Sequence, residues 1–419
     1  MFNRDNWIEI WSTIKSNKLR SVLTAFGVFW GIFILIIMLG ASKGFEDGLN
    51  ENFEGIATNS AFMWSQSSSI PYKGYNAGRR WTINNYDIKS IKTLVPDLDL
   101  IAPRLQGSFN DSGENVVYGE MKGSYSVFGD YPEYFQIIPI DITSGRSLNQ
   151  RDIDEERKVC VIGEDIVEEI FRGTDPIDEY IEVDNVYFKI VGVAHPKTQM
   201  NIGSNPKSTV YIPFTTLQKT YGYGNEVHFF CFTAKKDVMV EEVEEDIKAF
   251  LLKQHDLSPE DTKAIGGFNM QKEFIKLNGV YKGVSFLSWI VGLGTLLAGI
   301  IGVGNIMLIV IKERTKEIGI KRALGAQSKM IRNQILFESA ILTVFAGFFG
   351  LFFSVAFLEL VSMISDEATK DAFIHFVPEA NLRMGLAALV ILILGGIFAG
   401  LFPASRATSI KPIDALRDE

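Results

Sequence analysis

Four stretches of this chain, 21–42, 283–311, 339–358 and 384–405, contain no Asp, Glu, Lys or Arg. Nothing else in the sequence narrows the fold as sharply. Each is close to the ~20 residues that a helix needs to cross a bilayer. Each is rich in Leu, Ile, Val, Phe and Gly. Lipid offers no partner to a backbone amide, so a span must satisfy its own hydrogen bonds, as a helix does. The alternative, four buried core helices, fits poorly with uncharged runs of this length. Four spans are therefore expected. The first follows a basic flank, Lys15, Lys18 and Arg20, of the kind that precedes a secretory signal. Its 22 uncharged residues exceed the roughly 7–15 of a signal core, so it reads as an uncleaved anchor.

Lys and Arg set the orientation. The loop 312–332 carries seven of them (Lys312, Arg314, Lys316, Lys321, Arg322, Lys329, Arg332) against two acids, and residues 1–20 carry four against two. The loop 363–383 carries two, Lys370 and Arg383, against four acids. Both termini and the 312–332 loop are therefore expected in the cytoplasm. Residues 46–282 and 363–383 are expected outside. Residues 46–280 hold 23 basic and 37 acidic side chains, a formal charge of −14, within a whole-chain charge of −9. An acidic outer region excludes nucleic-acid binding, which needs a basic surface.

The outer region has a globular composition. Val159–Ile162, Ile181–Val183, Tyr187–Val193, Val210–Ile212 and Val227–Thr233 read as strands. Tyr86–Leu94, Asp165–Phe171 and Val240–Gln254 read as helices. In the last of these, Val240, Val243, Ile247, Phe250 and Leu251 make an apolar stripe, and Glu241, Glu242, Glu244 and Glu245 occupy the other side. That run reads as a solvated face and not a metal site. The mixture implies an α/β or α+β region. The segment 55–85 is rich in Ser, Gly and Asn, and is either a mobile surface segment or a strand pair with a long loop. Cys160 and Cys231 both fall in apolar strands; two buried thiols are preferred over a disulfide, since free Cys is among the most buried residue types. His195, His228, His255 and His375 show no ligand spacing.

Several chemistries lack their motifs. There is no GxxxxGK[ST] phosphate loop, no HExxH and no GxSxG. Glu338, at the cytoplasmic end of the third span, is the only ionisable residue near the interior of a span, which disfavours an ion-driven pathway. Energy is therefore expected from another polypeptide.

The segment after the second span, NIMLIVIKERTKEIGIKRALGA, runs from apolar into a short charged helix. Glu317 and Lys321 stand at i,i+4. Ile318, Arg322 and Ala326 share one face, Ile320 and Leu324 another, and Gly325 suits the C-terminal cap. From pattern alone, such a helix either docks on a cytoplasmic protein or lies on anionic lipid. Small residues recur at spacing four in the spans: Gly27 and Gly31 in the first, Gly294, Ala298 and Gly302 in the second. Trp7, Ile10, Trp11 and Ile14 make an apolar stripe before the first span, suited to the membrane interface.

These segments carry a resemblance. ERTKEIGIKRALGA resembles the coupling-helix signature of the MacB/FtsX-type ABC transporter permeases, and LRSVLTAFGVFWGIF resembles their first span. KVCVIGEDIVEEIF, DPIDEYIEVDNVYFKIVGV and STVYIPFTTLQ resemble successive elements of their extracytoplasmic domain, and GLFPASRATSIKPIDAL their C-terminal end. The resemblance implies an integral membrane fold: four transmembrane α-helices plus a large mixed α/β extracytoplasmic domain of two subdomains, with the inserted one near 135–230. The layout is then a cytoplasmic N-terminal helix (1–20), spans at 21–45, 283–311, 333–362 and 384–405, a coupling loop at 312–332 and a tail at 406–419. The resemblance implies that Glu313, Arg314, Glu317, Ile318, Gly319, Ile320, Arg322, Ala323, Leu324 and Gly325 couple to an ATPase. It implies a dimer, a homodimer or one with a related permease, with the first and second spans meeting across it, which makes Gly27, Gly31, Gly294, Ala298 and Gly302 interface candidates. It implies a separate ABC ATPase subunit that holds the ATP and Mg, with no cofactor, metal or catalytic residue on this chain. The first span begins by residue 21, so no fused ATPase is expected. Expected function is mechanotransmission in a bacterial inner membrane, driving export of a periplasmic drug, peptide or toxin through an adaptor and an outer-membrane channel. The alternatives are control of cell-wall hydrolases and release of lipoproteins.

Overall fold

The computed structural model describes residues 18–53, 57–107, 113–197, 203–369, 376–378 and 382–408. The expected interfacial stripe of Trp7, Ile10, Trp11 and Ile14 and the tail from 409 lie outside the described residues. The chain forms two compact units: Asn50–Leu277, and a second made of Met1–Leu49 with Asn278–Glu419.

The unit Asn50–Leu277 is built on fourteen described strands. They are β1 (Ser60–Ser65), β2 (Ile83–Asn84), β3 (Leu98–Gln106), β4 (Val116–Tyr118), β5 (Met121–Gly123), β6 (Ser126–Asp130) and β7 (Ile140–Gly145). They continue with β8 (Val159–Gly163), β9 (Tyr180–Val183), β10 (Val186–Pro196), β11 (Thr209–Pro213), β12 (Glu226–Val227), β13 (Phe229–Ala234) and β14 (Ile265–Asn269). Twelve form one sheet in the order β14-β1-β13-β3-β6-β11-β8-β10-β9-β4-β5, with β7 also on β10, and β2 pairs with β12 apart from it. The pairings from β14 to β6 are all antiparallel, while β6–β11 and β8–β10 are parallel. The strands β6, β8 and β11 are buried along their whole length. Strands covered on both faces read as unbroken apolar runs, and SVFGD, VCVIG and TVYIP come close to that.

The chain path is nested. Strands β1 and β3 before, and β13 and β14 after, make one end of the sheet; β4 to β11 make the rest. The inserted strands begin at Val116, ahead of the start expected near 135. The two parts also share a single sheet, joined by the β3–β6 register Arg104↔Asp130, Leu105↔Gly129 and Gln106↔Phe128. At that seam Arg104 Nε lies 2.7 Å from Asp130 Oδ1, with both side chains almost wholly buried. The guanidinium lies over the rings of Phe128 and Tyr134, at 3.8 and 4.2 Å. Burial pushes the Asp130 carboxyl up to about 6, and Arg104 only partly offsets this.

Helix Val240–Gln254 buries Val240, Val243, Ile247 and Leu251 and exposes Glu241, Glu242 and Glu245. Helix Asn85–Leu94 opens with a capping box in which Asn84 and Asp87 each accept from the other's backbone amide. The expected helix over Asp165–Phe171 is a single α-turn, Glu164–Ile166, that widens into a π-helix over Val167–Phe171. The segment 55–85 contains β1, an isolated bridge between Tyr72 and Tyr75, and β2. Cys160 and Cys231 are free and buried, and burial pushes both thiols up.

The second unit is helical. Three of its helices contain stretches long and apolar enough to cross a membrane: Ala25–Asn50, Met270–Glu313 and Ser328–Thr369. The fourth expected span lies in helix Leu382–Thr408, whose apolar part, Ile393–Ala407, is shorter. Its core joins Val28, Ile32 and Leu35 of the first helix to Leu296 and Val303 of the second and to Ala346 of the third. The third and fourth helices approach closely: a Cβ on Gly396 would meet Thr343 Oγ1 at 2.8 Å.

Candidate functional site

The second long helix ends at Glu313, and after one residue a nine-residue helix, Thr315–Ala323, begins. Thr315 Oγ1 donates to the Ile311 carbonyl at 3.1 Å, and the Ile318 amide reaches the Arg314 carbonyl at 3.0 Å. At the far end Gly325 takes φ +97, a backbone conformation that costs glycine least. The amides of Gly325 and Ala326 return to the carbonyls of Arg322 and Lys321, closing the helix end.

The two faces read from the sequence separate in space. Ile318 is buried at 8% exposure, in a core with Ile311, Ile331 and Ile335. Arg322 and Ala326, on the same face, are half-buried. Ile320 and Leu324 point outward, with Leu324 at 83% exposure. A nine-residue helix is marginal in isolation, so Ile318 is what seats it. Gly319 is buried beside it, and Glu313, Glu317 and Ala323 are exposed.

Arg314, at the corner, ties the helix down. Its Nε lies 3.0 Å from Glu317 and its Nη1 3.5 Å from Glu338 of the third long helix. Glu338 is 4% exposed. Its lone position at the edge of an uncharged run was visible in the sequence; its partner was not, because only the fold brings residues 314 and 338 together. These side chains, with Met307, Val310, Gln334 and Lys321, line a cleft whose open interior is about 30 Å³. That is room for about two waters.

The small residues of the spans divide into two groups. Gly27 and Gly31 lie against the second long helix of the same chain. A Cβ on Gly31 would come within 3.1 Å of the Thr295 carbonyl oxygen, and one on Gly299 within 3.0 Å of that of Gly27. Both obstacles are backbone and do not yield. Around Gly294 and Gly302 a Cβ would meet nothing within 4 Å, and Ala298 between them is exposed. Gly31→Leu is therefore expected to lower the amount of folded chain extracted from membranes, and Ala298→Leu with Gly302→Leu to leave it unchanged. Comparing the amount of folded chain recovered in detergent from the two variants checks this.

Comparison with known proteins gives two family matches. The MacB-like periplasmic core domain matches residues 21–250, and the FtsX-like permease C-terminal region matches residues 289–412. The macrolide export ATP-binding/permease protein MacB of Chlorobaculum tepidum is 28% identical over 98% of this chain and 61% of its own length. The chain thus spans about three fifths of the length of the MacB relatives it matches. An uncharacterized ABC transporter permease of Bacillus subtilis, YvrN, is 29% identical over 97% of this chain and 98% of its own length. Among solved structures, the periplasmic region of MacB from Actinobacillus actinomycetemcomitans aligns with 55% of this chain and 97% of its own, at 18% identity and a TM-score of 0.43.

Proposed function

Since this chain belongs to the MacB/FtsX-type family of ABC transporter permeases, we propose that it converts ATP hydrolysis on a separate ATPase subunit into rearrangement of its outer domain. The observation that carries this reading is the short charged helix: seated by Ile318, tied by Arg314 and presenting Ile320 and Leu324 outward. Exposed Leu and Ile on an otherwise charged surface suit a protein groove better than water. The ATPase holds the ATP and Mg; this chain contributes no catalytic group. That YvrN is an ABC transporter permease supports the permease role.

The four uncharged stretches cross a bacterial inner membrane, with the basic 312–332 loop inside and the acidic outer region in the periplasm. Two copies, or one with a related permease, associate through the open face of Gly294, Ala298 and Gly302. Gly27 and Gly31 bring the first and second helices together within one copy. In this reading the substrate is handled on the outer side and driven on through an adaptor and an outer-membrane channel. The naming of the MacB relatives as macrolide exporters favours export over hydrolase control or lipoprotein release.

Leu324→Glu tests the docking surface. The residue is exposed, so folding is expected to be unchanged, while co-purification of the ATPase from detergent extracts falls about tenfold, as for the loss of one buried apolar anchor. Undiminished co-purification, with the ATPase identified by mass spectrometry, overturns the assignment.

A further inference from the structure

Glu338 is a costly residue where it stands. Its carboxylate is buried beside Ser339, at the head of a 20-residue run without charge. Isolated charges at that depth are expensive and persist only with partners. Leu or Met would fill the same space without the desolvation cost, and such replacements are often neutral or stabilising. Stability alone therefore does not account for an acid here.

The geometry supplies a different account. One guanidinium, Arg314, reaches two carboxylates on two helices: Glu317 in the short helix and Glu338 in the third long helix. Ile318 seats the short helix by apolar packing, which is less directional than a charged contact. The Arg314–Glu338 contact adds a polar tie between the short helix and the third long helix. Arginine keeps its charge at every accessible pH, so the link does not lapse. At 3.5 Å the Arg314–Glu338 contact is long for a charge-assisted hydrogen bond.

We propose that Glu338 is the positioning residue of the short charged helix: through Arg314 it fixes the rotation of that helix against the third long helix, so that movement imposed by the ATPase passes into the membrane unit instead of being lost as pivoting. This rests on the coupling function proposed above. Glu338 touches neither ATP nor the ATPase; it acts through Arg314.

The test uses the full complex of permease and ATPase in lipid nanodiscs. Glu338→Gln, Arg314→Gln and the double variant are compared for bound ATPase, KM for ATP and kcat of permease-stimulated hydrolysis. Each single variant is expected to retain the ATPase and the KM while kcat falls about tenfold, and the double variant to be no worse than either single, as for residues acting as one pair. Glu338→Asp, which keeps the charge, is expected to recover part of the loss. A purely structural role would lower the amount of complex and leave the kcat of what remains unchanged. Should Glu338→Gln fail to reach the membrane, Arg314→Gln, at a half-exposed corner, carries the same expectation. Additive losses in the double variant, or full kcat in both singles, overturn the proposal. Full kcat in these singles alongside uncoupling by Gly319→Pro refutes the role of Glu338 alone; full kcat in all of them refutes the coupling function itself.

Discussion

Gly319→Pro is expected to leave the chain in the membrane at its normal level and to abolish permease-stimulated ATP hydrolysis. Proline removes a backbone donor and clashes with the carbonyl four residues back, at about 3 kcal/mol in a helix interior. The helix it enters has nine residues, too few to hold without tertiary support. Gly319 is buried next to Ile318, so distortion there lifts the one side chain that seats the helix. The long helices on either side are untouched, which is why insertion survives. Reconstituted hydrolysis, measured with and without the permease, checks this: stimulation equal to that of the parent chain refutes the coupling assignment.

The second large effect is expected in the outer domain. Arg104→Ala leaves the Asp130 carboxylate buried without its counter-ion and removes a cation from between Phe128 and Tyr134. Breaking a buried pair on one side costs about 3–5 kcal/mol, enough to release the sheet at its β3–β6 seam. Asp130→Asn is expected to be milder, because a neutral amide replaces the carboxyl and the guanidinium keeps its place over the two rings. It also isolates a pH effect. The folded carboxyl holds its proton up to about 6, whereas the unfolded one releases it near 3.9. Between those values the folded state binds more protons, so the contribution of Asp130 is fully present below the unfolded value and is lost as pH rises through about 6. Thermal unfolding of parent and Asp130→Asn across pH 4 to 7 should show the parent's advantage shrinking in that window and level above it. A constant difference across that range sinks the claim.

What the sequence revealed depended on how local each signal was. Helix Val240–Gln254 has the bounds its stripe of Val240, Val243, Ile247 and Leu251 indicates, because amphipathic periodicity is a property of consecutive residues. Strands β8 and β11 were legible as apolar runs for the same reason. Strands β4 and β5 have three residues each, too few to show any period, and this hid the early start of the insertion. The Arg104–Asp130 pair is a product of strand register, which no local pattern encodes. At the short helix, the apolar faces and the glycine cap could be read directly. The tether to Glu338 needed the third helix in place. The small-residue spacing showed where helices can approach but not which ones: Gly31 meets Thr295 of its own chain, and Gly294 meets open space.

The nested path of the sheet has a further consequence. Ala61 of β1 stands opposite Asn269 of β14, so the outer region begins and ends on neighbouring strands, about 5 Å apart. A domain with adjacent ends can be inserted, exchanged or removed with little loop-closure cost. The unit Asn50–Leu277 is in that sense a cassette, open to replacement as one piece without rewriting the helices of the other unit.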